Sequence, residues 1–127
     1  MKLVVDTHAF LWFAAGDARL SLTARRAMEQ HEDDWAISAA SVWEMAIKCG
    51  LGRLTLPTLV SDYVDEKVRA GLRVLPIEWT HAAAVERLPD HHRDPFDRLI
   101  VAQALTDGLE IVTRDLVFRE YGATVIW

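Results

Sequence analysis

Short apolar runs closed by polar residues alternate along this chain with longer stretches whose apolar residues recur every three or four positions. Leu3–Val5 is β-branched and closed by Asp6 and Thr7, which predicts a buried strand with Asp6 at its carboxyl end. Residues 8–15 are apolar nearly throughout and stop at Gly16-Asp17. Ser21 then opens a second helical run through Leu22, Arg25, Arg26 and Met28. Residues 35–37 predict a second strand, and Ser38-Ala39-Ala40 leads to Ser41, with Glu44 three positions on, the Ser-x-x-Glu pattern of a capping box. That helix is expected to end near Gly50, with Gly52 and Pro57 breaking the pattern before another helix from Leu59 to Gly71. Residues 72–77 predict a third strand despite Pro76, which suits a strand end or an edge. Thr80 is expected to cap a short helix through Leu88, and residues 89–93 form a polar loop. Asp94-Pro95 starts the best-defined helix, which stops at Gly108. Strand, short helix and strand then follow at 109–113, 115–121 and 124–127.

Strands that alternate with helices along the whole chain imply βαβ crossovers, hence an α/β fold with a mainly parallel sheet and helices on both faces. In such sheets ligands sit at the carboxyl ends of the strands, where Asp6 and Asp115 are expected to project. With 127 residues and no internal repeat or linker, residues 1–127 are read as one domain.

Composition narrows the functional classes. Half of the residues are apolar (51%) and 26% are charged, the balance of an ordinary globular protein. A net charge of -5 argues against a general polyanion-binding surface, so any nucleic-acid contact must be local. The one cysteine, Cys49, allows no internal disulfide and is read as core packing, consistent with a reducing cytoplasm. Leu3–Val5 is far too short for a signal peptide or a membrane span, so a cytoplasmic protein with no membrane partner is expected.

Four carboxylates stand out by position: Asp6 after the first strand, Glu44 and Asp97 in the first turns of their helices, and Asp115 after the fourth strand, with Asp94 as a possible fifth. Anions crowded at one sheet edge repel one another unless a hard cation lies among them, and an oxygen-rich set favours Mg²⁺ or Mn²⁺. Each residue also has a purely structural reading. Glu44 suits a capping box with Ser41 or an ion pair with Lys48, and for Glu44 alone structure is the better reading. Asp94-Pro95-Phe96-Asp97 is a well-made helix start, so for Asp94 alone the cap is favoured. Asp115 could cap the following turn, and Asp6 has no cap to make unless a helix begins at once after it.

Other chemistries lack their motifs. His8, His31, His81, His91 and His92 share no ligand spacing on a common helix, which speaks against zinc. The five tryptophans read as core or interface rather than base-stacking platforms. P-loop, dinucleotide and serine-hydrolase signatures are missing, and a nucleophilic Asp-x-Asp is broken by His8, which makes Asp6 a ligand rather than a nucleophile.

Taken together, Leu3-Val4-Val5-Asp6-Thr7-His8, Ser41-Val42-Trp43-Glu44-Met45-Ala46-Ile47-Lys48, Asp94-Pro95-Phe96-Asp97-Arg98-Leu99-Ile100-Val101-Ala102-Gln103-Ala104 and Val112-Thr113-Arg114-Asp115 resemble the PIN-domain family. The likeness is to the VapC toxins of bacterial type II toxin–antitoxin systems, and it runs the length of the chain with motifs in family order. It implies a three-layer α/β/α sandwich and a Mg²⁺- or Mn²⁺-dependent endoribonuclease held in check by a cognate antitoxin. The family's acidic quartet falls on Asp6, Glu44, Asp97 and Asp115, Asp94 matches an extra acidic position, and Thr113 a hydroxyl near the site. Asp6 and Asp97 are the expected metal ligands, with Glu44, Asp115 and Asp94 as further or outer ligands.

RNA is the implied substrate, with Arg93, Arg98 and Arg114 expected to hold its backbone. A family toxin also pairs as a homodimer, and the run Phe10-Leu11-Trp12-Phe13 is a candidate for core, dimer contact or antitoxin groove. Two rivals stand against this reading. A receiver-like signalling domain would need adjacent acids after the first strand, and Val5-Asp6-Thr7 lacks them. A PIN fold turned pure binding module would have no need of intact acids.

Overall fold

In the computed structural model, which describes residues 1–92 and 94–127, the run Leu3–Val5 forms strand β1 with all three side chains buried. Its neighbours are β2 (Trp35–Ser38) and β4 (Glu110–Val112), and β3 (Arg73–Leu75) and β5 (Val125–Ile126) lie at the edges. The order is β3-β2-β1-β4-β5, and every pairing is parallel. From β1 the chain steps outward through β2 to β3, then crosses back to lay β4 on the other side of β1. The sheet therefore reverses direction between β1 and β4, and a crevice opens at the carboxyl ends of those two strands.

Side chains alternate across the sheet with period two. Leu3, Val5, Ile37 and Val112 pack into one core with Ala9, Phe10, Ala24, Met28 and Tyr63. Val4 and Ile111, partners in register, pack into the other with Ile100, Val101, Ala104 and Phe118. Helices α1 (Thr7–Ala15), α2 (Leu22–Gln30) and α4 (Val60–Arg69) thus serve the first face, and α6 (Pro95–Asp107) serves the second. Helix α3 (Ala39–Gly50) gives Met45 to one core and Ala40 to the other. This is the expected α/β/α sandwich around a parallel sheet.

Several boundaries moved for local reasons. Helix α3 begins at Ala39, because the Ser38 hydroxyl at the end of β2 accepts from the Ala40 N–H at 2.9 Å and donates to Gln103 Oε1. Ser41 is therefore already inside the helix, and the expected Ser41–Glu44 capping box does not form. Glu44 consequently lies in the second turn rather than the first. Helix α1 begins at once after Asp6, so Asp6 does have a cap to make, and its Oδ1 accepts from Ala9 N–H at 2.7 Å. Residue 78, not Thr80, precedes α5 (Trp79–Ala84), which tightens into 3₁₀ geometry at Val85–Arg87. The segment after Asp115 is likewise a 3₁₀ turn, Leu116–Tyr121. Gly16 and Gly108 end α1 and α6 at φ of 64° and 69°, a left-handed conformation that side chains with a Cβ resist.

Trp43 and Trp79 are not core residues: they are 57% and 80% exposed. Of the run Phe10 to Phe13, Phe10 is buried, and Leu11, Trp12 and Phe13 pack against the same core while half exposed. Among the described residues no helix is long and apolar enough to cross a membrane.

Candidate functional site

The reversal point between β1 and β4 is where the acids meet. Asp6 and Asp115 arrive from the carboxyl ends of β1 and β4, and Asp97 from the first turn of α6, packed across the sheet end. With His8, Trp12, His92 and Arg114 they line an open cleft of about 440 Å³. Asp6, Asp97 and Asp115 are therefore brought together, as the sequence led one to expect.

Asp6 and Asp115 are each held by a helix start as well as by the site. Asp6 Oδ1 caps α1, and Oδ2 accepts from the Thr113 hydroxyl just past β4. Thr113 Oγ1 in turn accepts from Asp115 N–H at 3.0 Å, so one threonine joins the two strand ends. Asp115 Oδ1 accepts from Val117 N–H at 3.1 Å, which leaves Oδ2 facing the cleft. For Asp6 and Asp115 the cap occupies one oxygen and leaves the second directed elsewhere, so capping does not compete with a role at the cleft.

Glu44 and Asp94 lie outside the cleft lining. Glu44 is only 2% exposed and sits beneath the site. Its Oε1 accepts from the Thr7 hydroxyl at 2.6 Å and its Oε2 from Lys48 Nζ at 2.6 Å. Thr7 has one proton to give, and the carboxylate can only accept. Ser41, whose Oγ lies 2.8 Å away, must therefore donate to Thr7. Asp94 caps α6 through Oδ1, which faces Phe96 N–H at 2.9 Å and Asp97 N–H at 3.4 Å. A direct-ligand role for Asp94 gains no support from this placement, since it does not line the cleft.

Charge crowding is visible in the titration of these groups. Burial pushes the Asp97 carboxyl up to about 7; the neighbouring Asp94 charge adds to this, His92 opposes it, and Glu44 and Asp6 add smaller repulsions. Burial also raises Asp6, against hydrogen bonds from Thr113 and Ala9 that favour its anion. A cation among these carboxylates would offset both the burial and the repulsion. The carboxylate set therefore suits a hard divalent ion, with oxygens of Asp97 and Asp115 within 4.8 Å of one another.

His92 was missed from sequence, where only ligand spacing on a shared helix was sought. Its Nε2 lies 2.8 Å from Asp115 Oδ2 and 3.1 Å from Asp97 Oδ2. Its Nδ1 accepts from Asp94 N–H at 3.0 Å, which fixes the ring proton on Nε2, aimed at the two carboxylates. The one available signal was its position two residues ahead of the Asp94 cap.

The arginines divide. Arg114 lines the cleft, with its guanidinium 6.0 Å from the Trp12 ring centroid. Arg98 does not reach the site: its guanidinium donates to the carbonyls of Pro89 at 2.9 Å and Val85 at 3.2 Å, anchoring the segment that precedes α6. These contacts give Arg98 a structural role ahead of α6 and lend no support to an RNA-holding one. Arg93 lies outside the described residues.

Comparison with known proteins agrees with this geometry. The PIN domain family model matches residues 3–123. Ribonuclease VapC22 of Mycobacterium tuberculosis is 32% identical over 120 residues, 94% of this chain and 91% of that protein. Among solved structures, VapBC2 of Rickettsia felis bound to a fragment of promoter DNA aligns with a TM-score of 0.71 at 13% identity, covering 98% of this chain and 97% of that one. The DNA-bound VapBC of Salmonella typhimurium aligns with a TM-score of 0.70 at 18% identity, covering 98% and 96%. The strand order, the reversal-point cleft and the match across nearly the whole length lead to one conclusion: this chain belongs to the PIN domain family.

Proposed function

We propose that residues 1–127 act as one metal-dependent endoribonuclease unit, the toxin of a toxin–antitoxin pair, with Asp6, Glu44, Asp97 and Asp115 as its acidic machinery. The observation that carries the proposal is the convergence of three carboxylates from separate elements in one cleft, where burial and then neighbouring charge raise the Asp97 carboxyl. Kinship with a named ribonuclease sets the reaction class as hydrolysis of RNA phosphodiester bonds.

In this reading Asp6 and Asp97 would hold Mg²⁺ or Mn²⁺, with Asp115, which faces the same cleft, as a further ligand. The bound ion supplies a water of lowered pKa and charge to set against the scissile phosphate. The chain's own residues do the rest. Thr113 fixes the Asp6 carboxylate and, through Asp115 N–H, the spacing of the two strand ends. Glu44, held by Thr7 and Lys48, keeps negative charge beneath the site and raises the demand for a cation. Arg114 at the cleft mouth is placed to meet a phosphate. Solved structures of like fold are VapBC complexes, which supports a cognate antitoxin for this chain.

The test is cleavage of a mixed RNA pool by the purified, antitoxin-free protein with Mg²⁺ or Mn²⁺, against an EDTA control and an Asp97→Asn variant. Metal-dependent cutting that the variant lacks is the expected result. A folded, metal-binding wild type that leaves every RNA intact would overturn the proposal in favour of a pure binding module.

A further inference from the structure

Beside the acidic cleft lies a second one, of about 600 Å³, and the two share His8 and Trp12 as a common wall. Its lining carries Arg53 and Lys67 together with Arg19, paired to Asp17 at 2.6 Å, and Lys48, paired to Glu44 at 2.6 Å, so Arg53 and Lys67 carry its excess positive charge. In a chain of net charge -5 this is a concentrated basic surface, and it opens directly onto the candidate active site. The neighbouring cleft on the same face of the sheet has the opposite character, with Glu29, Glu32 and Asp33 against Lys67.

We infer that this second cleft is the track of the single-stranded RNA beside the scissile phosphate, with Trp12 as its base platform; the inference rests on the nuclease reading above. A single strand is held without sequence readout by cations that follow its backbone and by aromatic faces on which bases stack. Both are present here. Trp12 is half-exposed at the junction of the clefts, with exposed His8 at 5.9 Å and the Arg19 and Arg114 guanidinium groups 5.2 and 6.0 Å from its ring centroid. Arg19 lies on the basic-cleft side of that ring and Arg114 on the acidic-cleft side, so a strand crossing Trp12 meets a cation on each side. Lys48 ties the track to the site, because its ammonium also binds Glu44 beneath the carboxylates. An acidic protein can thus bind a polyanion, since the cations are gathered where the strand must leave the metal site.

The test separates track from chemistry. A fluorescein-labelled, mixed-sequence single-stranded RNA 12-mer is titrated with protein in EDTA across a salt series, so that affinity is read without cleavage. Cleavage of a dinucleotide, which spans only the scissile phosphate, is followed in parallel with Mn²⁺. Arg19→Gln/Arg53→Gln is expected to lower 12-mer affinity about tenfold and to flatten the salt slope by about 1.4, the loss of two phosphate contacts. Dinucleotide cleavage is expected to stay at the wild-type rate. Trp12→Leu should weaken the 12-mer about tenfold, and Trp12→Phe should restore most of that. Arg26→Gln/Arg73→Gln, exposed and outside the cleft, should change nothing. Wild-type affinity and slope in the cleft variant would overturn the inference, as would an equal loss in the control variant. A cleft variant that loses only antitoxin binding and keeps RNA would overturn it too, making the cleft a protein-docking site. A wild type that binds the 12-mer in EDTA through these residues but cuts neither substrate would instead defeat the nuclease reading alone.

Discussion

Replacing Asp97 by Asn should make the metal-free protein more stable while destroying its response to metal. Asp97 titrates near 7 in the folded state against an ordinary value of 3.8. A carboxyl raised in this way binds its proton more tightly when folded. Its stabilising contribution is fully present below pH 3.8 and is lost as pH rises through 7. Three pH units of mismatch correspond to at most about 4 kcal/mol lost by pH 8. The side chain is 22% exposed, so solvent screening lowers the effective cost. Asn also gives up a favourable charge in the first turn of α6, about 0.3–1 kcal/mol. The expected net gain for the variant is about 1–3 kcal/mol in EDTA at pH 8, or roughly 4–12 °C in Tm for a chain of this size. The gap should narrow steadily as pH falls from 8 toward 4. With Mn²⁺ at a hundredfold excess over its Kd the wild type should gain about 2.7 kcal/mol, and the variant little. Thermal melts at pH 5 and 8, each with EDTA and with Mn²⁺, provide the four numbers needed. A variant less stable than wild type in EDTA at pH 8, or one with an undiminished Mn²⁺ shift, would refute the idea that carboxylate crowding at Asp97 exists to hold a cation.

Three further outcomes can be checked. Asp6→Asn should cut RNA cleavage by at least about 100-fold with a melting curve close to wild type, because the Asn carbonyl can still accept from Ala9 N–H while its amide donates to Thr113 Oγ1. His92→Ala removes the donor between Asp97 and Asp115 and should cost about 1–3 kcal/mol in EDTA but much less with Mn²⁺ present; an equal loss in both conditions would show that His92 only packs. His81→Ala should lower stability by about 1–3 kcal/mol and leave cleavage per folded molecule unchanged, since buried His81 joins Glu78 N–H to Asp107 across α5 and α6, away from the acids.

The alternation of short apolar runs with helical periodicity was enough to read an α/β chain with a parallel sheet, because period and run length are local properties. The same holds for α6, where Asp94, Pro95 and Gly108 mark both ends within a few residues of the helix itself. The acids at strand ends were legible for a similar reason: a carboxylate directly after a buried strand has few places to go. Where the reading slipped, two local solutions competed. Ser38 and Ser41 could each cap α3, and the choice fell to Ser38 because Gln103, 65 residues away, accepts its proton while Ser41 is drawn to Thr7. His92 and Arg98 exchanged importance on the same principle. Nothing near Arg98 in sequence foretells that the carbonyls of Val85 and Pro89 will take its donors. Nothing near His92 foretells that it will face Asp115, 23 residues on. The basic cleft is likewise assembled from α1, α4 and the segments between, so no single stretch of sequence is basic there. The sequence by itself determined which residues could form elements and carry chemistry. Only the tertiary structure decided which carboxylates share a cleft and which are spent as caps, because a polar side chain commits to partners brought by packing.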